Sequence, residues 1–319
     1  MLGLNHARYR GGKDSIFNYE RIIHMEIKTI MVIGSGLMGG GIAQVAAQAG
    51  YNVIMNDVKM EFIDRGFNNI AGFLDRQVKK GKITEADKET TLGRIDKAVE
   101  FDAAKKADFV IEAAFENEEV KKGIFHQLDA ICRENVIFAS NTSSIPITTL
   151  AAATQRPDRF IGMHFFSPVP VMRLVEVIPG LKTSEQTVKM TREIATKVGK
   201  ETVRVKDVPG FLVNRCNAAF RAECFKCLLE GVASLEDIDK AIKLGLNHPL
   251  GPFELADLVG VEIGYSVFKT LYEGYKDPKF APFLVLEKLV ISGDYGKKTG
   301  KGWYDYTSGE KKPRTDITF

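Results

Sequence analysis

Cysteine is scarce in this chain of 319 residues: Cys132, Cys216, Cys224 and Cys227 are all it has. Four, unevenly placed, are too few for the disulfide framework of a secreted domain, and a reducing cytoplasm fits them better. Cys224 and Cys227 form a CxxC, but no second pair and no HxxxH stands where a zinc site would need one. The surrounding AAFRAECFKCLLEG reads as helix, so ordinary packing is the expectation and no metal is expected. Long apolar runs are missing as well. None reaches the roughly 18 residues that a membrane-spanning helix needs. Nor is there an excess of one charge: 44 basic and 41 acidic side chains leave +3, too balanced for nucleic acid or a membrane surface as principal partner. There is no GxSxG for a hydrolase elbow, no GxxxxGK[ST] for a nucleotide triphosphatase, and no internal repeat or low-complexity block.

What is present, 45% hydrophobic and 27% charged residues, is the profile of a globular protein, and the length suits two domains with separate cores. Residues 1–24 carry Arg and Lys but no apolar h-region or small-residue cleavage site. They read as an extension, a tag or a misassigned start, with Met25 as the natural beginning.

From Lys28 to about Val205, short β-branched runs alternate with longer stretches of helical period. This pattern predicts a Rossmann-type, doubly wound α/β domain over 25–207. The predicted strands are 29–34, 52–57, 108–114, 135–140, 159–165, 174–178 and 201–205, with helices over 37–49, 61–80, 118–131 and 185–198. After Asp207 the β-branched runs stop. Apolar Ala218, Ala222, Phe225 and Leu229 recur at helical steps, and further helices are predicted over 235–243, 253–272 and 282–292, followed by the glycine-rich GKKTGKGWYDY. An all-α domain over 208–319 is therefore expected.

Gly34-Ser35-Gly36-Leu37-Met38-Gly39 is a GxGxxG directly after an apolar strand and directly before a helical run. Gly34 permits the tight turn, Gly36 lets the backbone approach a pyrophosphate, and Gly39 lets helix pack closely on strand, while the amides at the start of the helix, with Leu37 and Met38, meet phosphate. Asp57 ends the next strand 23 residues beyond Gly34, near the offset at which an acid bonds the adenosine ribose, which favours NAD. A helix cap is the plain alternative for Asp57, and Lys59, able to meet a 2′-phosphate, leaves NADP open.

Ligands of open α/β sheets bind outside the carboxyl ends of strands, which singles out two ends here. One runs into Ser140-Asn141-Thr142-Ser143-Ser144, and the other carries His164 in RFIGMHFFSP. Oxidising a secondary alcohol requires a base for the hydroxyl proton, a task suited to neutral imidazole. Glu176, in the apolar LVEVI, is costly to bury without a partner, and pairing with His164 would supply one. On the residues alone, a structural histidine and a catalytic one both fit.

GSGLMGGGIAQ at 34–44, VIEAAFENEEVKK at 110–122, FASNTSS at 138–144, HFFSPVPVMRLVEVI at 164–178, DVPGFLVNR at 207–215, LGPFELADLVG at 250–260 and GKKTGKGWYDY, in this order, resemble the 3-hydroxyacyl-CoA dehydrogenases, most closely the bacterial 3-hydroxybutyryl-CoA dehydrogenases. The resemblance spans Met25 to Tyr306. It implies that His164 is the acid/base paired with Glu176, and that Ser143 and Asn214 bond the substrate near its reacting carbonyl. It also implies cofactor contacts from Glu116, Lys121, Asn141 and Ser143, an acyl-CoA partner, and a homodimer through the helical domain. Where the family commonly has HFFNP, this chain has Ser167, a shorter hydrogen-bonding side chain with less reach. Arg76, Lys79, Lys80 and Lys82 end the long helix after Asp57 in a region that meets CoA phosphates in similar enzymes; a solvated helix end with cations against the dipole accounts for them equally well.

Two other readings remain at this level. One is a dehydrogenase of a free hydroxy or sugar acid on the same scaffold, and the other a dinucleotide-binding relative without catalysis. Keeping His164, Glu176, Ser143 and Asn214 together argues against the second.

Overall fold

The computed structural model describes residues 26–314, 316 and 317, so the reading of residues 1–24 lies outside it. The strand-forming runs become β1 (Thr29–Ile33), β2 (Asn52–Asn56), β3 (Ile95–Ala98), β4 (Phe109–Glu112), β5 (Ile137–Ser140), β6 (Phe160–Phe165), β7 (Leu174–Pro179) and β8 (Glu201–Arg204). They form one sheet in the order β3-β2-β1-β4-β5-β6-β7-β8. β6 and β7 run antiparallel and the other pairings are parallel. The short 166–173 connection explains the exception, because a parallel crossover needs about a dozen residues or more.

Helices cover both faces. α1 (Leu37–Gln48), α2 (Met60–Lys79), α3 (Glu85–Leu92) and α6 (Glu185–Lys197) lie on the side where Ile42, Ile63, Leu74 and Ile194 meet the strands. α4 (Glu118–Ile131) and α5 (Ile147–Ala151) bring Phe125, Leu128 and Leu150 to the other side. There Phe125 packs edge-on to Phe160 with ring centroids 4.6 Å apart. Removing such a ring costs about 3–5 kcal/mol. Beyond the sheet, α7 (Val213–Leu229), α8 (Leu235–Gly245), α9 (Pro252–Val259), α10 (Val261–Tyr275) and α11 (Leu284–Ile291) enclose a third core around Phe225, Phe253 and Trp303. A short hairpin, β9 (Tyr304–Asp305) with β10 (Lys312–Pro313), ends the described chain. Cys224 packs in this third core, where burial pushes its thiol up to about 11.

The structure adds α5 and the β9–β10 hairpin to the elements expected from sequence, and it departs from that reading at three further points. β3 was not foreseen, because IDKA is a four-residue edge strand whose charged Asp96 and Lys97 face solvent. α3 was also missed, since EADKETTL has no apolar stripe; its signature is the capping box of Thr84 and Asp87. The single helix read over 253–272 is two, broken at Gly260, whose φ of 118° no helix accommodates. The apolar period runs through that break, which is why period alone does not reveal it.

Candidate active site

The order of strands reverses between β1 and β4, which opens a crevice above their carboxyl ends. The glycine turn lies there. Gly34 has φ of 92°, and a Cβ on it would come 2.6 Å from the Ala113 carbonyl oxygen after β4. At Gly39 a Cβ would sit 1.8 Å from the Gly34 carbonyl oxygen, so helix and turn touch by backbone alone. At Gly36 nothing lies within 4 Å, and the backbone faces open space. Asp57 holds this turn: one carboxylate oxygen accepts from the Ser35 amide at 2.8 Å and the Ser35 hydroxyl at 2.7 Å, the other from the Val58 amide at 2.8 Å.

Two adjoining hollows flank the turn. One of about 390 Å³ is lined by Ser35, Gly36, Leu37, Asp57, Phe62 and Arg65 among others, the dimensions of a nucleoside site. Another of about 400 Å³ shares Gly36 and Leu37 and extends past Gly41 and Arg76 to Pro168 and Val169. Met38, by contrast, turns inward and packs against the core.

Across the sheet, His164 on β6 stands opposite Glu176 on β7 in the antiparallel register. The ring Nδ1 and a Glu176 oxygen are 2.8 Å apart, and Glu176 is fully buried. Its other oxygen accepts from the Leu212 and Val213 amides, at 3.2 and 2.9 Å, where α7 begins. This is a carboxylate at the positive end of a helix. Asn214 follows Val213 in the first turn of α7, so the same acid that orients His164 also anchors the segment carrying Asn214. Phe166 and Phe211 flank the imidazole with ring centroids 4.7 and 5.7 Å away. The pairing occupies Nδ1 and leaves Nε2 as the ring's other hydrogen-bonding nitrogen.

The chain belongs to the 3-hydroxyacyl-CoA dehydrogenase family. Residues 29–208 match the model of that family's NAD binding domain, and residues 210–306 match its C-terminal domain. A probable 3-hydroxybutyryl-CoA dehydrogenase of Bacillus subtilis is 49% identical over 282 residues, covering 88% of this chain and 98% of that one. The 3-hydroxybutyryl-CoA dehydrogenase of Bradyrhizobium diazoefficiens is 47% identical over 287 residues, covering 90% and 98%. The crystal structure of (S)-3-hydroxybutyryl-CoA dehydrogenase from Ralstonia eutropha superimposes with a TM-score of 0.86 at 48% identity, covering 88% of this chain and all of the other.

NAD is thus the cofactor of this 3-hydroxyacyl-CoA dehydrogenase family member, and the glycine cradle fits it: Gly36 leaves room where a pyrophosphate must approach, and a Cβ there would fill that room. The other residues singled out by sequence fall into two groups. Ser143 is half-buried in the loop after β5, where β5 pairs with β6, and Ser167 is exposed at the end of the strand carrying His164. Lys79, Lys80 and Lys82 are exposed around the end of α2, where Gly81 with φ of 66° stops the helix, while Arg76 lines the larger hollow.

Asn141, Glu116 and Lys121 are engaged within the protein. The Asn141 side-chain oxygen accepts from the Phe165 amide at 2.8 Å, tying the ends of β5 and β6 together. Lys121 is 1% exposed and its ammonium lies 2.5 Å from Glu112. Glu116 gathers donors from Thr142, Ser143 and Ser144; burial alone would raise its pKa, but Lys121 and these donors outweigh burial and hold it below the ordinary carboxylate value.

Three engaged residues escaped sequence reasoning. Glu112 is an acid in the apolar run FVIE, the signal that marks Glu176 in LVEVI, and it would have been found by the same argument. Asp207 accepts from the Ile147 and Thr148 amides, both at 2.8 Å, pinning the segment between the two halves to α5. Lys200 is buried and donates to the carbonyls of Val169 and Met172 at 2.5 and 2.8 Å, fixing the loop after Ser167. No sequence pattern marks a lysine whose partners are carbonyl groups.

Proposed function

We propose that this chain interconverts (S)-3-hydroxybutyryl-CoA and acetoacetyl-CoA, with His164 as acid/base, Glu176 as its orienting partner, and Ser143 and Asn214 bonding the thioester near the reacting oxygen. The observation that carries the reading is the 2.8 Å His164–Glu176 pair at the strand ends beside the cofactor crevice. With Nδ1–H donating to the carboxylate, Nε2 presents a lone pair; in oxidation it takes the hydroxyl proton, and Glu176 stabilises the imidazolium that results. When bound, NAD supplies the acceptor for the hydrogen and electron pair leaving C3. In reduction, protonated His164 returns the proton to the carbonyl oxygen.

The hollow running from the glycine turn to Arg76 and on toward the exposed Lys79, Lys80 and Lys82 suits a CoA moiety, with its phosphates at the basic end. Asp57, Leu37 and the Ser35–Gly39 turn hold the nucleotide. Leu246, Leu258, Ile263, Leu284 and Ile291 are apolar and exposed on the helical half, which supports a homodimer formed through it. Domain roles follow: residues 25–207 bind the cofactor, and 208–319 bind substrate and dimerise. The reading is tested by the absorbance of NADH after addition of acetoacetyl-CoA or free acetoacetate. Oxidation with the thioester alone is expected; oxidation with the free acid alone would move the reading to a hydroxy-acid dehydrogenase.

A further inference from the structure

We propose that Glu112 is a positioning residue for this reaction, acting through Lys121, Glu116 and Ser140 on the 142–144 loop that carries Ser143. The inference rests on the dehydrogenase reading for the role of Ser143.

Glu112 closes β4 and is fully buried, at a point where the strand otherwise holds Phe109, Val110 and Ile111. A carboxylate in such a place is costly unless every lone pair is answered, and here each oxygen is. One accepts from the Lys121 ammonium at 2.5 Å and the Ala114 amide at 2.7 Å, the other from the Ser140 hydroxyl at 2.6 Å. Both side-chain routes lead to the same loop. The Ser140 oxygen in turn accepts from the Thr142 amide at 3.3 Å. The Lys121 ammonium lies 3.4 Å from one oxygen of Glu116, whose other oxygen accepts from the Thr142 hydroxyl at 2.6 Å, the amides of Ser143 and Ser144 at 2.9 and 3.1 Å, and the Ser144 and Ser143 hydroxyls at 2.9 and 3.3 Å.

One ammonium therefore serves two carboxylates, and the nearer is Glu112. That division keeps Lys121 seated against β4 and leaves the loop-facing oxygen of Glu116 to organise residues 142–144. With Glu112 uncharged, the whole attraction of a buried ammonium would fall on Glu116, in surroundings where such attraction is strong. Glu116 would be drawn toward Lys121 and away from the serines. Glu112 itself touches neither substrate nor cofactor in this scheme.

The test is a double-mutant cycle on kcat with Glu112→Gln and Ser143→Ala in the full-length protein, using NADH and acetoacetyl-CoA. Glu112→Gln is expected to lower kcat about tenfold, as displacement of an aligned group does, with KM for the thioester changed less than about threefold. Ser143→Ala is expected to cost at least about threefold less in the Glu112→Gln background than in the wild type, since a misplaced hydroxyl has less to lose. A merely structural role for Glu112 would lower stability yet leave the two effects multiplicative, and multiplicative effects overturn the proposal. If Glu112→Gln does not fold, Ser140→Ala, which removes a Glu112 partner and its bond to the Thr142 amide while leaving every charge in place, takes its place in the same cycle. If the wild type itself fails to oxidise NADH with acetoacetyl-CoA, the dehydrogenase reading falls separately. The cycle is then read on NADH dissociation constants, where multiplicative effects again overturn the positioning role and coupled ones sustain it.

Discussion

In the sheet half, Glu112 closes β4 and Glu176 lies within β7 opposite His164, and each carboxylate is divided: part of it secures backbone N–H groups, and part meets a side chain, Lys121 or His164, on the side of the sheet that carries the crevice. In the helical half, Asp239 and Asp257 are as deeply buried, but their partners are the amides of Phe253, Glu254, Trp303 and Tyr304 and the hydroxyls of Tyr304 and Tyr306. Nothing in that second set reaches the crevice. The neighbouring glycines show how tight it is, since a Cβ on Gly302 would lie 2.1 Å from an Asp257 oxygen. A buried acid is thus no sign of chemistry by itself. What distinguishes the two halves is where the second partner points.

Activity and stability measured on the same variants separate the two kinds of buried acid. Removing the imidazole tests that separation hardest: His164→Ala should lower turnover roughly 10²- to 10⁴-fold, the usual contribution of a general acid–base, while NADH still binds. Equal turnover of variant and wild type would end the acid/base assignment. Glu176→Gln should lower kcat by less, about 10- to 100-fold, because His164 remains but loses the carboxylate that stabilises its cation. It should also lower the melting temperature, since Leu212 and Val213 donate to the same side chain. A loss of stability without loss of kcat would put Glu176 with the acids of the helical half.

Asp257→Ala is the counterpart. It strands the Trp303 and Tyr304 amides in the core and should cost about 2–4 kcal/mol in chemical denaturation, with kcat per folded molecule unchanged. A fall in kcat as large as that of Glu176→Gln would put Asp257 with the acids of the sheet half.

The smallest effect concerns acid. Burial alone would raise Glu254, but Lys311, Lys243 and the Gly251 amide outweigh it and hold the carboxyl down at about 2. A depressed carboxylate stabilises the fold above its unfolded value of about 4.3 and loses that contribution as pH falls through the folded one. Lys311→Met raises the folded value, so the midpoint of acid unfolding should move to higher pH by a few tenths of a unit, followed by circular dichroism. Asp239 and Asp257 run the other way. Burial raises both, so their contribution is full below the unfolded value and lost as pH climbs through the folded one; neither drives acid unfolding.

Much of this architecture is legible in the chain because its signals are local. Gly34, Gly36 and Gly39 follow one strand and open one helix, and the β-branched runs of β1, β2 and β4–β7 stand out from what surrounds them. His164 and Glu176 are legible as a candidate pair because an acid in LVEVI requires an answer. Networks are harder to read. Asp207 meets α5 across sixty positions and Lys200 meets carbonyl groups thirty-one and twenty-eight positions away, contacts that spacing cannot announce. Lys121 shows the opposite limit: its place in the sequence pattern is clear, but only the fold reveals that its ammonium is enclosed between two carboxylates.

The register of β6 on β7 carries one more consequence, and it concerns parity. His164 faces Glu176 because the strands pair as Met163 with Val177 and Phe165 with Val175. Side chains alternate across a sheet, so a slip of a single step would send Glu176 to the opposite face, with no acid beside the imidazole and a carboxylate in a hydrocarbon layer. Within the turn over 166–173, insertions or deletions therefore survive only where they bulge outward and leave the strands in phase. Divergence in length at this hairpin is expected at the loop's tip, with the pairing of His164 and Glu176 held by the geometry of the pleat.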